Sequence, residues 1–174
     1  MDAPRLRLAS LEAEFLRSLS AGGPYPPGSD LRGMHATSQL LWAKRLRTMA
    51  RAWPELAQFL GNSLRERATQ VLAGTPLPPG DHALQDGLIV TLHLAAAGPI
   101  PDGMKLRMLG VKLRYRWQRG RLVRRACPAM GLTYLRQSGR LNCALRVPGF
   151  QLLSVSIRAF SLPRSRGRVG WGPR

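Results

Sequence analysis

Acidic residues all but vanish from this chain after position 102. Residues 101–174 hold 17 Lys and Arg against one acid, Asp102, a net charge of +16. Residues 1–100 hold 10 basic and 8 acidic side chains, a net of +2. General acid–base catalysis needs positioned carboxylates, His or Lys, so the second part is poorly equipped for it. Histidine is scarce as well: His35, His82 and His93 are the whole supply. His82 stands beside Asp81 and near Asp86, which could be drawn as a metal site. It lies in a Pro/Gly loop, however, and no motif of ligand spacing surrounds it. A surface histidine is the preferred reading. Two cysteines, Cys127 and Cys143, exclude a disulfide framework and a zinc ribbon. They read as reduced thiols of a cytoplasmic protein. Cys127, between Arg125 and Pro128, has the cationic surroundings that a reactive thiolate needs. Cys143 falls on an alternating position that reads as core.

Long apolar runs are missing too. The most apolar stretch, Leu88 to Ala97, is broken by Thr91 and His93 and is too short to cross a bilayer. The amino terminus lacks the apolar core of a signal peptide. No phosphate loop, nucleophile elbow or dinucleotide fingerprint occurs. The chain therefore reads as non-catalytic, without cofactor or metal and without membrane insertion. Lysine is limited to Lys44, Lys105 and Lys112. A genome biased toward arginine explains that shortage but not the missing acids.

What is present is enough for a core: 44% of the 174 residues are hydrophobic. Ser10 precedes Leu11, Phe15, Leu16 and Leu19, with Glu12 and Glu14 in the first turn, the pattern of an amphipathic helix. Ala21 to Pro27 reads as a loop. A second helix starts near Asp30 and carries Leu46, Met49, Ala50 and Trp53 on one face until Pro54. A short helix runs to Gly61, and Asn62 is a candidate cap for the next, striped by Leu64, Ala68, Val71 and Leu72. Gly74 reads as a stop and Thr75 to Gly80 as a connector. Leu84, Leu88, Leu92 and Ala95 form a last helix, stopped by Gly98-Pro99. Residues 1–98 therefore read as a helical bundle.

The period then changes. Val111, Leu113, Tyr115 and Trp117 alternate with Lys112, Arg114 and Arg116. Leu141 to Val147 and Leu153 to Ala159 alternate in the same way, and a weaker strand fits Leu132 to Arg136. Period two marks strands with one buried face. Turn signals at Arg119-Gly120, Ser138-Gly139 and Pro148-Gly149 separate them. Leu106, Leu109, Leu113 and Trp117 also suit a helix, so strand and helix remain open over residues 104–117. The expected fold is α+β: a bundle over 1–98, a basic antiparallel β-meander over 99–162, and a disordered basic tail over 163–174.

If the apolar residues face a core, Lys112, Arg114, Arg116, Arg146 and Arg158 face solvent from one side of one sheet. Arg119 and Arg121 extend that face through a turn, and Arg124 and Arg125 follow. Clustered guanidinium groups suit carboxylates and phosphates, and the acids that would balance a merely solvated face are missing. These nine residues are the candidate anion- or partner-binding site. An acidic peptide or protein fits it, with strand addition at a sheet edge as one mode. Nucleic acid is the alternative. Tyr115 and Trp117 fall on the apolar face, which leaves no evident stacking platform for single strands, and no groove-reading motif is present.

The spacing of Phe15-Leu16, Leu19, Trp53-Pro54, Leu60-Gly61, Pro76, Pro78-Pro79, Leu84 and Gly87 resembles a bacterial family labelled as a DNA-binding domain. Its members include accessory partners of multinuclear non-heme iron oxidases in peptide natural-product pathways of the methanobactin type. The family often has Tyr-Arg-Asn in its second helix, where this chain reads Leu41-Trp42-Ala43-Lys44-Arg45. The basic second half resembles the carboxy-terminal part of a related group of actinobacterial proteins. The resemblance implies an accessory protein that helps a partner enzyme engage a peptide.

Overall fold

Helix ends in this chain fall where capping chemistry puts them. A computed structural model describes residues 3–21, 24–77, 82–150 and 152–158. Six helices come first: α1 (Ala3–Ala21), α2 (Leu31–Ala52), α3 (Pro54–Leu60), α4 (Leu64–Leu72), α5 (His82–Ala97) and α6 (Asp102–Arg114). The hairpin β1 (Tyr115–Gln118) and β2 (Arg121–Arg124) follows, then a three-stranded antiparallel sheet of β3 (Ala129–Leu135), β4 (Arg140–Arg146) and β5 (Leu153–Arg158). The architecture is α+β. The expected tail, residues 163–174, lies outside the described residues, as does Ala159.

The Asp30 carboxylate accepts the Arg32 N–H at 3.1 Å and so caps α2. The Trp53 N–H closes that helix on the Met49 carbonyl, and Pro54 opens α3 at a position where no N–H is needed. Two expected starts are displaced. The first helix begins at Ala3 rather than Ser10, whose hydroxyl donates to the Arg7 carbonyl inside the helix. Asn62 caps nothing and sits in a 3₁₀ turn over Gly61–Ser63.

The core gathers Met49, Trp53, Leu56, Ala68, Leu72, Leu88 and Val90 from α2 to α5. Gly87 lets α5 close on Trp53, because a Cβ there would collide with the indole ring. The indole N–H donates to the Leu84 carbonyl at 3.2 Å. Met104 and Val111 of α6 join the same cluster. Over residues 104–117, where strand and helix were both open, the chain is helical as far as Arg114 and a strand from Tyr115. The reason is that α6 has two apolar partners. Met104 and Val111 enter the bundle, while Leu109 and Leu113 reach the sheet at Gly131. A strand would have buried only one side.

The sheet is turned over relative to expectation. Gly131 pairs with Ala144 and Thr133 with Asn142, and these small and polar residues form the side that receives α6. A Cβ on Gly131 would lie 2.6 Å from a Leu109 methyl, so the helix rests on bare backbone there. The alternate residues point away from α6. On β3 these are Met130, Leu132 and Tyr134, all exposed. On β4 they are Leu141, Cys143 and Leu145, and on β5 Leu153, Val155 and Ile157. Cys143 therefore lies on the outward face, half-buried, rather than in the core.

The β1–β2 hairpin turns on Arg119 (φ 49°) and Gly120 (φ 75°), two consecutive positive φ values of the kind a two-residue turn requires. Buried Gln85 of α5 anchors it to the bundle. Its amide donates to the Gly120 carbonyl at 3.1 Å and accepts the Leu122 N–H at 3.0 Å.

Candidate functional site

The last carbonyls of α6 have no partners within the helix and carry the negative end of its dipole. Two arginines meet them. Arg125 donates through Nε to the Lys112 and Tyr115 carbonyls, both at 3.1 Å. Its backbone N–H reaches the Arg114 carbonyl at 2.8 Å. Arg146 comes in from β4 and donates through Nη1 to the Arg125 carbonyl at 3.1 Å and the Arg114 carbonyl at 3.4 Å. Arg146 is only 7% exposed. Among the described residues no carboxylate pairs with it, and carbonyl dipoles offset its charge instead.

Around this knot opens a cleft of about 600 Å³, lined by Arg114, Arg124, Arg146, Gly149, Phe150 and Leu152. Arg114 and Arg124 are exposed, and Phe150 is 75% exposed. Two guanidinium forks beside a buried third give a concave site for a carboxylate or phosphate, with an aromatic ring at its rim. After Asp102 there is no acid to compete for those forks.

The nine expected residues do not form one sheet face. Lys112 and Arg114 stand on the last turn of α6, and Arg116, Arg121 and Arg124 on the hairpin. Arg119 sits at the hairpin tip beside a second cleft of about 420 Å³, shared with Thr75, Pro76, Leu77 and Gln85. Arg146 and Arg158 do share a sheet face, the one toward α6. Arg158 pairs with Arg140 at the far end of β4 from Arg146, six residues and about 20 Å away. Arg125 and Arg146 serve as helix caps, which a reading of charge alone could not reveal. The expected lack of accessible aromatics is also corrected: Trp117, Tyr134 and Phe150 are exposed, and of the two aromatics expected on the buried side Tyr115 alone packs on the core.

Sequence reasoning missed Phe150, whose only signal was its place after the Pro148-Gly149 turn. It also gave Asp102 no role. That carboxylate accepts from Lys105 Nζ at 3.1 Å and from the backbone N–H groups of Gln137 and Ser138 at 3.0 and 3.3 Å. The lone acid of the basic part thereby ties the start of α6 to the β3–β4 turn. Burial raises its pKa, but the Lys105, Ser138 and Gln137 hydrogen bonds outweigh this and leave it below the ordinary 3.8.

Of the residues drawn as a metal site, Asp81 lies outside the described residues. Asp86 is fully buried in a bidentate pair with Arg45, at 2.7 Å for both contacts. Arg45 also reaches the Thr75 carbonyl at 2.9 Å and lies 5.2 Å from the Trp42 ring centroid. Among the described residues no group of three His, Cys, Asp or Glu could hold a metal. No helix among them is long and apolar enough to cross a membrane.

Fold and cleft together define a class: a helical bundle joined through α6 to a small, acid-poor β module. Residues 9–95 match the family described as the SCO6045-like C-terminal domain, and the chain belongs to that family. It is also similar to a UPF0276 protein of Streptomyces avermitilis, 33% identical over 108 residues. That alignment covers 62% of this chain and 22% of the relative, so it spans less than a quarter of the relative's length. No solved structure matches.

Proposed function

We propose that this chain is a non-catalytic accessory protein whose basic cleft holds a carboxylate-bearing segment of a protein or peptide partner. One observation carries the reading: Arg114, Arg124 and Arg146 converge on a single cleft in a module with no acid after Asp102. Charge complementarity of that kind selects partners and speeds their encounter. The family resemblance noted above points to a peptide-modifying iron oxidase as that partner.

A second reading is nucleic-acid binding, and Phe150 beside the arginines favours it, since bases stack on exposed rings near cations. Fluorescence anisotropy separates the two. A labelled Glu-rich peptide should bind at moderate salt and weaken roughly tenfold for the Arg114→Gln/Arg124→Gln variant. Arg146 is left intact because it caps α6. Tighter binding of single-stranded DNA than of the peptide, with the steep salt dependence of counterion release, would transfer the cleft to nucleic acid. No binding of either would end both readings.

A further inference from the structure

Among the described residues, the outward face of the β3–β4–β5 sheet holds nine, none charged, and the Tyr134 hydroxyl is the only hydroxyl among them. Eight of the nine are between 38% and 70% exposed. Soluble monomers expose contiguous apolar patches of a few hundred Å². This face is on the order of 800 Å², the share one partner contributes to a standard protein interface. Such a face is not an accident of one residue, because alternation over three strands puts every apolar side chain on the same side.

Charge decides what covers it. Residues 103–158 carry thirteen Lys and Arg and no acid. Two copies meeting face to face would bring these charges together unbalanced, which disfavours a second copy as occupant. The shape of the surroundings points the same way. Leu152 and Phe150, at the entry to β5, line the arginine cleft. The cleft opens on the α6 side to which Arg146 points, at the β4–β5 end of the sheet where Leu145 and Leu153 bring the outward face to its edge, so a carboxylate that projects past that edge reaches it, which a flat lipid surface does not.

We infer that this face is the docking surface for a different protein, one whose apolar patch is bordered by carboxylates, with an acidic side chain entering the cleft. The inference rests on reading the cleft as an anion site and adds the surface that supplies the affinity. The probe is a labelled amphipathic peptide with a leucine stripe flanked by glutamates, titrated against the full chain. Controls replace the leucines by serine or the glutamates by lysine. The Leu/Glu peptide should bind at least roughly tenfold more tightly than either control. A Leu132→Ser/Val155→Ser variant should lose that preference for leucine but keep the salt dependence. An Arg114→Gln/Arg124→Gln variant should do the reverse.

Loss in the sheet variant alone supports the docking face and removes the cleft from it. Loss in the arginine variant alone overturns the docking face and leaves the cleft. Equal binding of the Leu/Lys peptide overturns the inference. So does binding to phosphatidylglycerol vesicles in preference to the peptide, or a dimer at low salt in sedimentation that the sheet variant abolishes. Circular dichroism of both variants guards against misfolding, and the outward positions are exposed enough for serine to be accommodated.

Discussion

Arginine does three different jobs in this chain, and only burial and partner separate them. Arg45 is locked in a buried pair with Asp86, Arg125 and Arg146 cap a helix, and Arg114 and Arg124 line an open cleft. Removing Asp86 would strand a buried guanidinium, so Asp86→Ala should lower unfolding free energy by about 3–5 kcal/mol in urea denaturation. The loss is independent of anything bound at the cleft. Asp102 gives a pH signature. Its folded pKa is lowered, so its contribution is fully present above the ordinary value of 3.8 and disappears as pH falls through the lower folded value. Urea midpoints of the wild type and Asp102→Asn should differ near neutral pH and converge in acid. A constant gap across that range would mean that the Lys105, Ser138 and Gln137 hydrogen bonds do not depress it. Arg119 holds a φ of 49°, a region where a side chain costs about 1–2 kcal/mol. Arg119→Gly should therefore raise the melting temperature, and a decrease would mean that the side chain makes compensating contacts in the second cleft.

At the scale of elements, the sheet offers a sharper test because its two faces reverse the usual expectation. Leu132→Ser on the outward side should change stability by less than about 0.5 kcal/mol. Ala144→Leu on the α6 side should cost about 1–3 kcal/mol through overpacking against the helix. The opposite ranking in chemical denaturation would mean that the sheet packs through its apolar face after all. This reversal marks where the sequence stopped being legible. Asp30, Pro54 and Gly74 announce helix ends through local chemistry, and the boundaries of α2, α3 and α4 follow from them. The period of β4 and β5 was equally plain from Leu141 to Arg146 and Leu153 to Arg158. Period says which residues share a side, but not which side finds a partner. That depended on Gly131 and Ala144 forming a bed flat enough for Leu109 and Leu113, a match between segments distant in the chain. The same ambiguity hid α6, where Val111 and Leu113 satisfy both periods. The candidate site suffered most, since a one-sided row of arginines required the opposite face to be buried. Arg114, Arg124 and Arg146 were among the nine expected residues, but their convergence on one cleft depends on a helix end meeting the ends of two strands.

For the molecule as a whole, the bundle and the β module are joined by more than chain connectivity. Met104 and Val111 sit in the bundle core, Gln85 grips the hairpin, and Asp102 grips the β3–β4 turn. Unfolding should accordingly be a single transition, seen together by tryptophan fluorescence and by the far-ultraviolet signal of the sheet. Two separated midpoints would show that the module melts on its own. The outward apolar face has a further consequence, one for the economy of the cell. If a partner covers that face as inferred, a chain that reaches its native state with so much oil-like surface in water cannot be safely overproduced relative to that partner. Idle copies are targets for chaperones and proteases even when perfectly folded. Dosage would then be set by the partner's abundance rather than by the chain's own synthesis.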